Sequence, residues 1–330
     1  MRAVQVRKAG ASPDIGLFED VLDPQPGIGE VLIDVRAAAV HYPDWLVITG
    51  RYQTIPPEPF VPGKEAAGVV HQVGEGVANL KRGDRVLLHV DDGAFATRVV
   101  VRKERCRLLP ERMEFNEAVS IGLAAQTAWF ALMERGGYQP GMSVLVTGAT
   151  GAVGYAAVQI AAALGADVLA GVNSIERAKP LLKNVPCRLI NLGASDLRSA
   201  LRDEVLGATG GKGVDIVIDM LGGDVFDASL RTLRWNGRMV SVGFAAGRVP
   251  EVKAGYLLVK NLTVTGLQWT DYRDREPAKV ASAHAALARM WERGQLRQNV
   301  MQPLPLDRIE HALRLIESRQ TTGRLVLTMC

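Results

Sequence analysis

The chain has few cysteines, and none is grouped at the spacing of a metal site. Three occur among its 330 residues, at Cys106, Cys187 and Cys330. Three scattered thiols can form neither a disulfide framework nor a four-thiolate zinc site. Each is therefore interpreted as a small buried or terminal residue.

Long apolar runs are also missing. No stretch approaches the ~20 apolar residues that a membrane helix requires. The first residues, MRAVQVRKAG, alternate in the manner of a strand and lack the apolar core of a signal peptide. We therefore expect a cytoplasmic protein that makes no use of a membrane.

Clustered charge of one sign is the third absence. The 39 lysines and arginines and the 35 aspartates and glutamates are mixed along the chain and leave a net charge of +4. A nucleic-acid-binding protein would show a basic cluster or a recognisable module, and we find neither. The expected partner is a small-molecule substrate.

The length of the chain suits two domains. Up to about residue 109, apolar runs such as EVLIDVRAAAV alternate with Gly- and Pro-containing turns such as VPGKEAAG, which predicts a turn-rich β domain. The terminal run GRLVLTM is too short for a further domain and is predicted to return to the first. We therefore predict a discontinuous domain of residues 1–121 and 271–330, and a second domain of residues 122–270.

Strands and helices alternate in the predicted second domain. Helical segments separate six apolar runs: SVLVTG, DVLAGV, CRLI, VDIVID, RMVSVG and LTVTGLQW. Continuously apolar strands that alternate with helices predict a parallel sheet covered on both faces. Six of them are typical of a doubly wound, Rossmann-type dinucleotide-binding domain, so the predicted fold class is α/β.

A glycine-rich turn, VLVTGATGAVG, joins the first of these strands to its helix. Gly148 permits the tight turn, Gly151 lets the backbone approach a pyrophosphate, and Gly154 allows the helix to pack closely on the sheet. The helix N-terminus then offers N–H groups and a positive dipole to the phosphates. A tight turn that binds nothing is the alternative, and the five further strands favour dinucleotide binding.

The end of the second strand, AGVNSIERAK, indicates which dinucleotide binds. An NAD site usually places Asp or Glu here to hold the ribose 2′-hydroxyl, whereas this chain has Asn173. A carboxylate would repel a 2′-phosphate, and Ser174 and Arg177 can bind one. Their alternative roles are a helix N-cap and a solvated helix face. We predict NADPH as the cofactor.

Five segments follow one another in a fixed order: HYPDWLVITGRYQTIPPEPFVPGKEAAGVV, VLVTGATGAVG, GGKGVDIVIDMLGG, GRMVSVGFAAG and TTGRLVL. Together they resemble the zinc-free, zeta-crystallin-like quinone oxidoreductase branch of the medium-chain dehydrogenase/reductase superfamily, over essentially the whole chain. The resemblance implies a GroES-like catalytic domain, a Rossmann domain and NADPH-dependent hydride transfer to a quinone or enone. It also implies a homodimer built through the strand near Leu262 to Trp269.

The zinc ligands of related enzymes are absent. Zinc alcohol dehydrogenases of this superfamily carry a Cys and a Gly-His-Glu motif, and the corresponding places here read HYPD and PGKEAAG. His41, His71 and His89 are interpreted as structural or surface residues. We therefore expect no metal. Hydride addition to a quinone or enone is favoured over alcohol oxidation, because such a substrate delocalises the incoming charge without a Lewis acid.

The resemblance also implies which residues form the site. His41, Tyr42 and Tyr52 would polarise a substrate oxygen or pass a proton, beside Asp44 and with Thr127 facing the nicotinamide. Packing with a solvated hydroxyl is the alternative for both tyrosines. The implied cofactor contacts are Gly148, Thr150, Gly151, Ala152, Val153, Gly154, Asn173, Ser174, Arg177, Gly243, Phe244, Ala245, Gly323 and Arg324.

Two positions depart from the family pattern. His41 stands where Asn is frequent, and Leu192 stands where a Tyr often helps to hold the 2′-phosphate. A preference for NADPH would therefore depend on Ser174 and Arg177 alone.

Three other functions are considered. An enoyl-thioester or enone reductase would share the fold and the cofactor, and a non-enzymatic crystallin-like protein would keep the cofactor alone. Tyr256 and Lys260, four apart in YLLVK, match the Tyr-x-x-x-Lys of short-chain dehydrogenases, with Ser241 near a strand end. That family begins with its glycine loop, whereas a β domain comes first here. We therefore interpret Tyr256 as a packing residue and Lys260 as a helix-terminal charge.

Overall fold

The computed structural model describes residues 1–297, 303–318, 321 and 323–329, and the chain divides into two compact units. The first unit contains Met1–Leu123 and the described residues after 302, and the second contains Ala124–Arg297.

The first unit is built on a largely antiparallel sheet. β3 pairs with β4 and β6, β5 pairs with β4 and β7, and β1 and β2 form a separate antiparallel pair. β-branched and small side chains on these strands are buried in one core, because alternate residues of a strand lie on the same face of the sheet. The elements are β1 (Ala3–Lys8), β2 (Asp14–Phe18), β3 (Glu30–Val40), α1 (Tyr42–Ile48), β4 (Glu65–Val73), β5 (Arg85–His89), β6 (Arg98–Arg102) and β7 (Cys106–Leu108).

The second unit is a parallel sheet with helices between its strands. The helix α2 (Phe115–Phe130) leads into it. The other elements are β8 (Ser143–Thr147), α3 (Ala152–Ala163), β9 (Asp167–Val172), α4 (Ile175–Leu182), β10 (Arg188–Asn191), α5 (Leu197–Ala208), β11 (Val214–Asp219), α6 (Gly223–Leu230), β12 (Leu233–Ser241), α7 (Ala254–Lys260), β13 (Thr263–Gly266), α8 (Trp269–Arg275) and α9 (Pro277–Glu292).

The strand order of this sheet is β10-β9-β8-β11-β12-β13, with every pair parallel. Each strand contains residues of one of the six predicted apolar runs, so the predicted doubly wound α/β fold is confirmed. The order reverses between β8 and β11. In open α/β sheets, ligands bind outside the carboxyl ends of the strands at such a point.

Residues 271–297 lie in the second unit, whereas the sequence pattern assigned them to the first domain. Gln126 of α2 donates from Nε2 to the Val280 carbonyl of α9 at 3.4 Å, and the rings of Phe130 and Tyr272 have centroids 4.6 Å apart. An amphipathic helix shows that it has a buried face, but its sequence does not indicate which sheet covers that face.

The chain then returns to the sheet of the first unit with β14 (Leu304–Pro305), α10 (Ile309–Glu317) and β15 (Leu325–Thr328). β15 pairs antiparallel with β3, and Leu325 lies opposite Val40. This register brings Arg324 next to the residue that follows β3.

Candidate active site and cofactor-binding site

The glycine-rich turn of the second unit connects β8 to α3 at the strand-order reversal. Gly148 has φ +65°, which non-glycine residues rarely adopt, and a Cβ on Gly154 would lie 2.2 Å from the Gly148 carbonyl oxygen. Gly151 is the N-cap of α3 and has no side chain to cover the helix N-terminus. The turn therefore leaves the backbone of the first turn of α3 open to an anion at the carboxyl edge of the sheet.

A buried carboxylate holds the two strands together at this edge. Asp219, the last residue of β11, accepts hydrogen bonds from Thr147 Oγ1 at 2.5 Å, Gly222 N at 2.9 Å and Leu221 N at 3.3 Å. Burial raises the pKa of its carboxyl. Asp219 was not predicted as a site residue, although an acidic residue at the end of an apolar strand was a visible signal in the sequence.

The end of β9 carries the residues predicted to select the cofactor. Ser174 is the N-cap of α4, and its side chain accepts from Arg177 N at 3.4 Å. Asn173 and Arg177 are exposed. The N-cap role of Ser174 is compatible with a phosphate contact, since both use the same helix terminus.

The loops after β11 and β12 lie against each other at the same edge. Ala245 N donates to the Met220 carbonyl at 3.1 Å, and a Cβ on Gly222 would lie 3.0 Å from the ring of Phe244. Phe244 is 41% exposed, which is unusual for a large apolar side chain. Gly243, Phe244 and Ala245 therefore form an apolar surface beside the strand-order reversal. Thr127 is half-buried on α2.

The strand ends of the first unit bring a buried polar cluster together, which we call the Glu65 cluster: Glu65, His41, His89 and Arg324. His41 follows β3, Glu65 begins β4, His89 ends β5, and Arg324 precedes β15. The pairing of Glu65 opposite His89 and of Leu325 opposite Val40 places all four at one end of the sheet. Each is less than one-tenth exposed.

The hydrogen bonds of the Glu65 cluster define the tautomer of His41. Arg324 Nη2 lies 3.0 Å from His41 Nδ1, and a guanidinium can only donate, so Nδ1 accepts. Nε2 therefore carries the proton and donates to Glu65 Oε2 at 2.8 Å. Burial and the neighbouring Arg324 charge lower the pKa of His41, which keeps the ring neutral.

Glu65 is satisfied by further donors. His89 Nε2 lies 3.2 Å from Oε1, and Leu123 N donates to the same oxygen at 2.6 Å. A buried carboxylate without such donors would cost several kcal/mol. From the sequence, Glu65 was noted only as part of a missing zinc motif and His89 was interpreted as a structural or surface residue. Their contact was therefore not predicted.

Asp44 is buried beside the Glu65 cluster, and only one of its two carboxylate oxygens has a hydrogen-bond partner among the described residues. Its Oδ2 accepts from His41 N at 2.7 Å at the start of α1, whereas Oδ1 has no hydrogen-bond partner among the described residues. Burial raises the pKa of Asp44 to about 7, against the opposing effects of that hydrogen bond and of the Lys64 and Arg324 charges. This carboxyl therefore changes its protonation near neutral pH.

The two tyrosines lie in different environments. Tyr42 is 42% exposed and stacks on Trp45 with ring centroids 5.5 Å apart. Tyr52 is half-buried, and the Lys64 ammonium lies 5.0 Å from its ring centroid. Among the site residues predicted in the first unit, His41 contacts Arg324. Gly323, which precedes Arg324 in the sequence, is half-buried.

The described residues contain no group of three or more His, Cys, Asp or Glu side chains arranged to hold a metal ion. In the Glu65 cluster both histidines direct Nε2 towards the Glu65 carboxylate, so these side chains hydrogen-bond to one another.

In the part of the chain that the structure describes, every helix is too short or too polar to cross a bilayer. Cys330 lies outside the described residues.

Tyr256 and Lys260, the Tyr-x-x-x-Lys pair, lie on α7, which is distant in sequence from the glycine-rich turn. Lys260 ends the helix and donates to the carbonyls of Leu233 at 2.8 Å and Arg231 at 3.3 Å, and the Tyr256 hydroxyl accepts from Arg231. Lys260 is thus a helix-terminal charge, as predicted.

Two family models match most of the chain. The model described as "Alcohol dehydrogenase GroES-like domain" matches residues 27–131, and the one described as "Zinc-binding dehydrogenase" matches residues 152–285. Each match lies largely within one of the two structural units.

Named proteins are similar over nearly the whole chain. "Quinone oxidoreductase-like protein 2" of Rattus norvegicus is 33% identical over 308 residues, which is 93% of this chain and 87% of the relative. "Quinone oxidoreductase" of Sus scrofa is 31% identical over 331 residues, covering 100% and 98%. The crystal structure of Escherichia coli quinone oxidoreductase complexed with NADPH superposes with a TM-score of 0.90 at 29% identity, covering 99% of this chain and 100% of the other.

Proposed function

Because the chain belongs to the quinone oxidoreductase branch of the medium-chain dehydrogenase/reductase superfamily, we propose that it is an NADPH-dependent, zinc-independent oxidoreductase that reduces a quinone or a related conjugated carbonyl. The observation that carries the proposal is the turn from Gly148 to Gly154, which lies at the reversal of the strand order. The Escherichia coli relative, crystallised with NADPH, supports the choice of cofactor.

The second unit has the features that NADPH requires. The absence of a side chain at Gly151 would let a pyrophosphate approach the N-terminus of α3, and Gly154 lets the turn pack closely against Gly148. Ser174 and Arg177 would bind the 2′-phosphate, and Asn173 adds no repelling carboxylate. Gly243, Phe244 and Ala245 would support the nicotinamide, with Thr127 as a further contact. When bound, NADPH supplies the hydride.

The first unit would polarise the substrate and supply the proton. Both ring nitrogens of His41 are engaged, so in this arrangement His41 positions Arg324 and Glu65 rather than contacting a substrate oxygen. The hydroxyls of Tyr42 and Tyr52 are the candidates for that contact. Asp44, which titrates near pH 7, can exchange the proton.

Zinc independence is supported by the segments HYPD and PGKEAAG, which stand where related zinc enzymes carry their ligands. A catalytic zinc in an enzyme of this kind needs three protein ligands and an open position. The first cysteine of the sequence is Cys106, which is buried in the first unit, and burial raises the pKa of its thiol to about 12. The sequence therefore has no cysteine at the position where related zinc enzymes carry one.

A homodimer is part of the proposal. β13 is an edge strand of the parallel sheet, and Leu258 and Val259 on the preceding helix are 81% and 79% exposed. An open edge beside exposed apolar side chains is a common site of subunit association.

The experiment is a substrate panel with the purified full-length chain. NADPH oxidation is followed with a benzoquinone, a 2-alkenal and an enoyl-CoA thioester, before and after dialysis against a chelator. We expect kcat/KM to be highest for the quinone and unchanged by the chelator. A preference for the thioester would indicate an enoyl reductase, NADPH binding without turnover a non-enzymatic protein, and rescue by added zinc a metalloenzyme.

A further inference from the structure

The second unit contains a cavity that the proposed function does not use. Its volume is about 450 Å³, and its lining includes Arg198 and Arg202 of α5, Arg231 after α6, and Tyr256 and Lys260 of α7. We call it the basic pocket. Such a volume lies within the range of small-molecule sites, ~300–1,000 Å³.

The position of the basic pocket separates it from the dinucleotide site. Two further lining residues lie close before the starts of strands: Leu230 ends α6, three residues before β12, and Leu262 directly precedes β13. In a parallel sheet all strands start at the same end of the sheet, the amino end, and finish at the opposite, carboxyl end. The glycine-rich turn follows the carboxyl end of β8. The basic pocket lies near the amino ends of β12 and β13, so the two sites lie at opposite ends of the strands of one sheet.

The helices hold the cations of the pocket close together. Arg198 and Arg202 are four residues apart on α5, so they extend from the same helical face. Lys260 Nζ is fixed by the carbonyls of Leu233 and Arg231 and keeps one further N–H to donate. The local folding of three helices therefore places four positive charges around one cavity.

Negative charge in the lining does not balance these cations. Asp203 is the carboxylate among the lining residues; its side chain is 75% exposed and lies 3.7 Å from Arg202. An ion pair with that exposure contributes little. Burial and the Arg202 charge lower the pKa of Lys260, as expected for a partly buried cation near a like charge. A multivalent anion would convert this repulsion into attraction.

The donors of the basic pocket suit phosphate oxygens. The Arg231 guanidinium lies 4.7 Å from the Tyr256 ring centroid and donates to the hydroxyl oxygen, so the hydroxyl proton remains to be donated elsewhere. Arginine forks bind phosphate with two parallel hydrogen bonds, and lysine adds a point charge. The side chains of Leu230 and Leu262 would bound the non-polar part of a ligand.

We propose that the basic pocket binds the pyrophosphate group of a small phosphorylated molecule, at a site separate from the dinucleotide site. The inference does not depend on which substrate is reduced. Free pyrophosphate is the probe, because it carries the proposed chemistry without an organic part.

The test is isothermal titration of pyrophosphate into the NADPH-saturated full chain at low ionic strength. Saturation with NADPH closes the glycine-rich turn to the probe. Because NADPH itself carries a pyrophosphate group, the titration is repeated without NADPH, and binding at the basic pocket is identified by its loss in the variant below. We expect one site per chain, with affinity reduced about tenfold or more in Arg198→Gln, the scale of a lost hydrogen bond to a charged group. Arg198 is exposed, so this variant keeps the fold. Arg188→Gln, an exposed arginine on β10, is the matched control and should bind as the wild type does.

Three results would overturn the proposal. One is the absence of saturable binding at millimolar pyrophosphate. Another is equal affinity in Arg198→Gln and Arg188→Gln. The third is sulfate binding as tightly as pyrophosphate, which would indicate general counterion association. None of these results bears on the quinone assay, which does not use the basic pocket.

Discussion

Arg324 fixes the state of His41 at the residue scale. Its guanidinium donates to Nδ1, so the imidazole stays neutral and presents the Nε2 proton to Glu65. A histidine in this arrangement cannot act as a free base until the contact between Arg324 and Nδ1 breaks. The same Arg324 charge also counters the burial that raises the pKa of Asp44.

Arg177 is predicted to distinguish the two dinucleotides. Arg177→Ala should weaken NADPH binding by about 1.5–3 kcal/mol, the range for a hydrogen bond to a charged group, and leave NADH binding nearly unchanged. Fluorescence titration of both cofactors measures this, with Arg188→Ala as a control for the loss of an exposed arginine from the same unit. Equal losses for NADPH and NADH would mean that Arg177 does not contact the 2′-phosphate.

Asp44 is predicted to make stability depend on pH. Burial raises its pKa in the folded chain from 3.8 to about 7. The folded state therefore holds this proton more tightly, and its contribution to the free energy of unfolding is complete below about pH 4. That contribution is lost as the pH rises towards 7, by up to about 1.4 kcal/mol per pH unit.

The variant Asp44→Asn isolates this titration, because its amide oxygen can still accept from His41 N and does not ionise. Urea unfolding of both proteins between pH 4.5 and 8 gives the difference in stability, in which other titrating groups cancel. We expect the wild type to lose stability relative to the variant as the pH rises. Parallel profiles would show that the Asp44 pKa is not raised.

The sequence allowed individual site residues to be proposed more readily than their partnerships. His41 and Arg324 were each predicted by resemblance, but nothing in the sequence indicates that they touch. Glu65 and His89 meet because they lie opposite each other in the β4–β5 register, and register is a property of the folded sheet.

At the element scale, β8, its turn and α3 form the strand–turn–helix segment on which the proposed NADPH binding depends. The six strands of the parallel sheet were predictable because buried strands read as continuous apolar runs. The assignment of α8 and α9 to the second unit was not predictable, because a helical pattern shows that a buried face exists but does not indicate which surface packs against it.

Gly154 is predicted to be irreplaceable in this unit. The Cβ of Gly154→Ala would lie 2.2 Å from the Gly148 carbonyl oxygen, so the turn must move. We expect a loss of about 1–3 kcal/mol in the free energy of unfolding, with NADPH affinity strongly reduced. Urea unfolding and NADPH titration measure the two effects.

Gly207 offers the matched control. It lies within α5, and a Cβ there would meet nothing within 4 Å. Gly207→Ala should therefore stabilise the protein by about 0.4–1 kcal/mol and leave NADPH binding unchanged. If both variants behaved alike, close packing at Gly154 would not be the reason for its glycine.

At the scale of the whole molecule, the exposed surface predicts self-association. Val259→Glu adds a charge to the apolar surface before the β13 edge and should convert a dimer to monomers. Leu22→Glu, at a 90% exposed leucine of the first unit, should leave the dimer intact. Light scattering after size-exclusion chromatography gives the masses. A wild-type monomer would contradict the prediction.

The return of the chain to the first unit has a consequence for synthesis on the ribosome. His41 and Arg324 are 283 residues apart, with the whole second unit between them. At translation rates of ~5–20 residues per second, roughly 15–60 s pass before the second of the pair has been made. During that time β3 lacks its partner strand β15, and His41 lacks the contact with the Arg324 guanidinium. The nascent sheet of the first unit thus keeps part of the β3 edge unpaired until β15 has been translated.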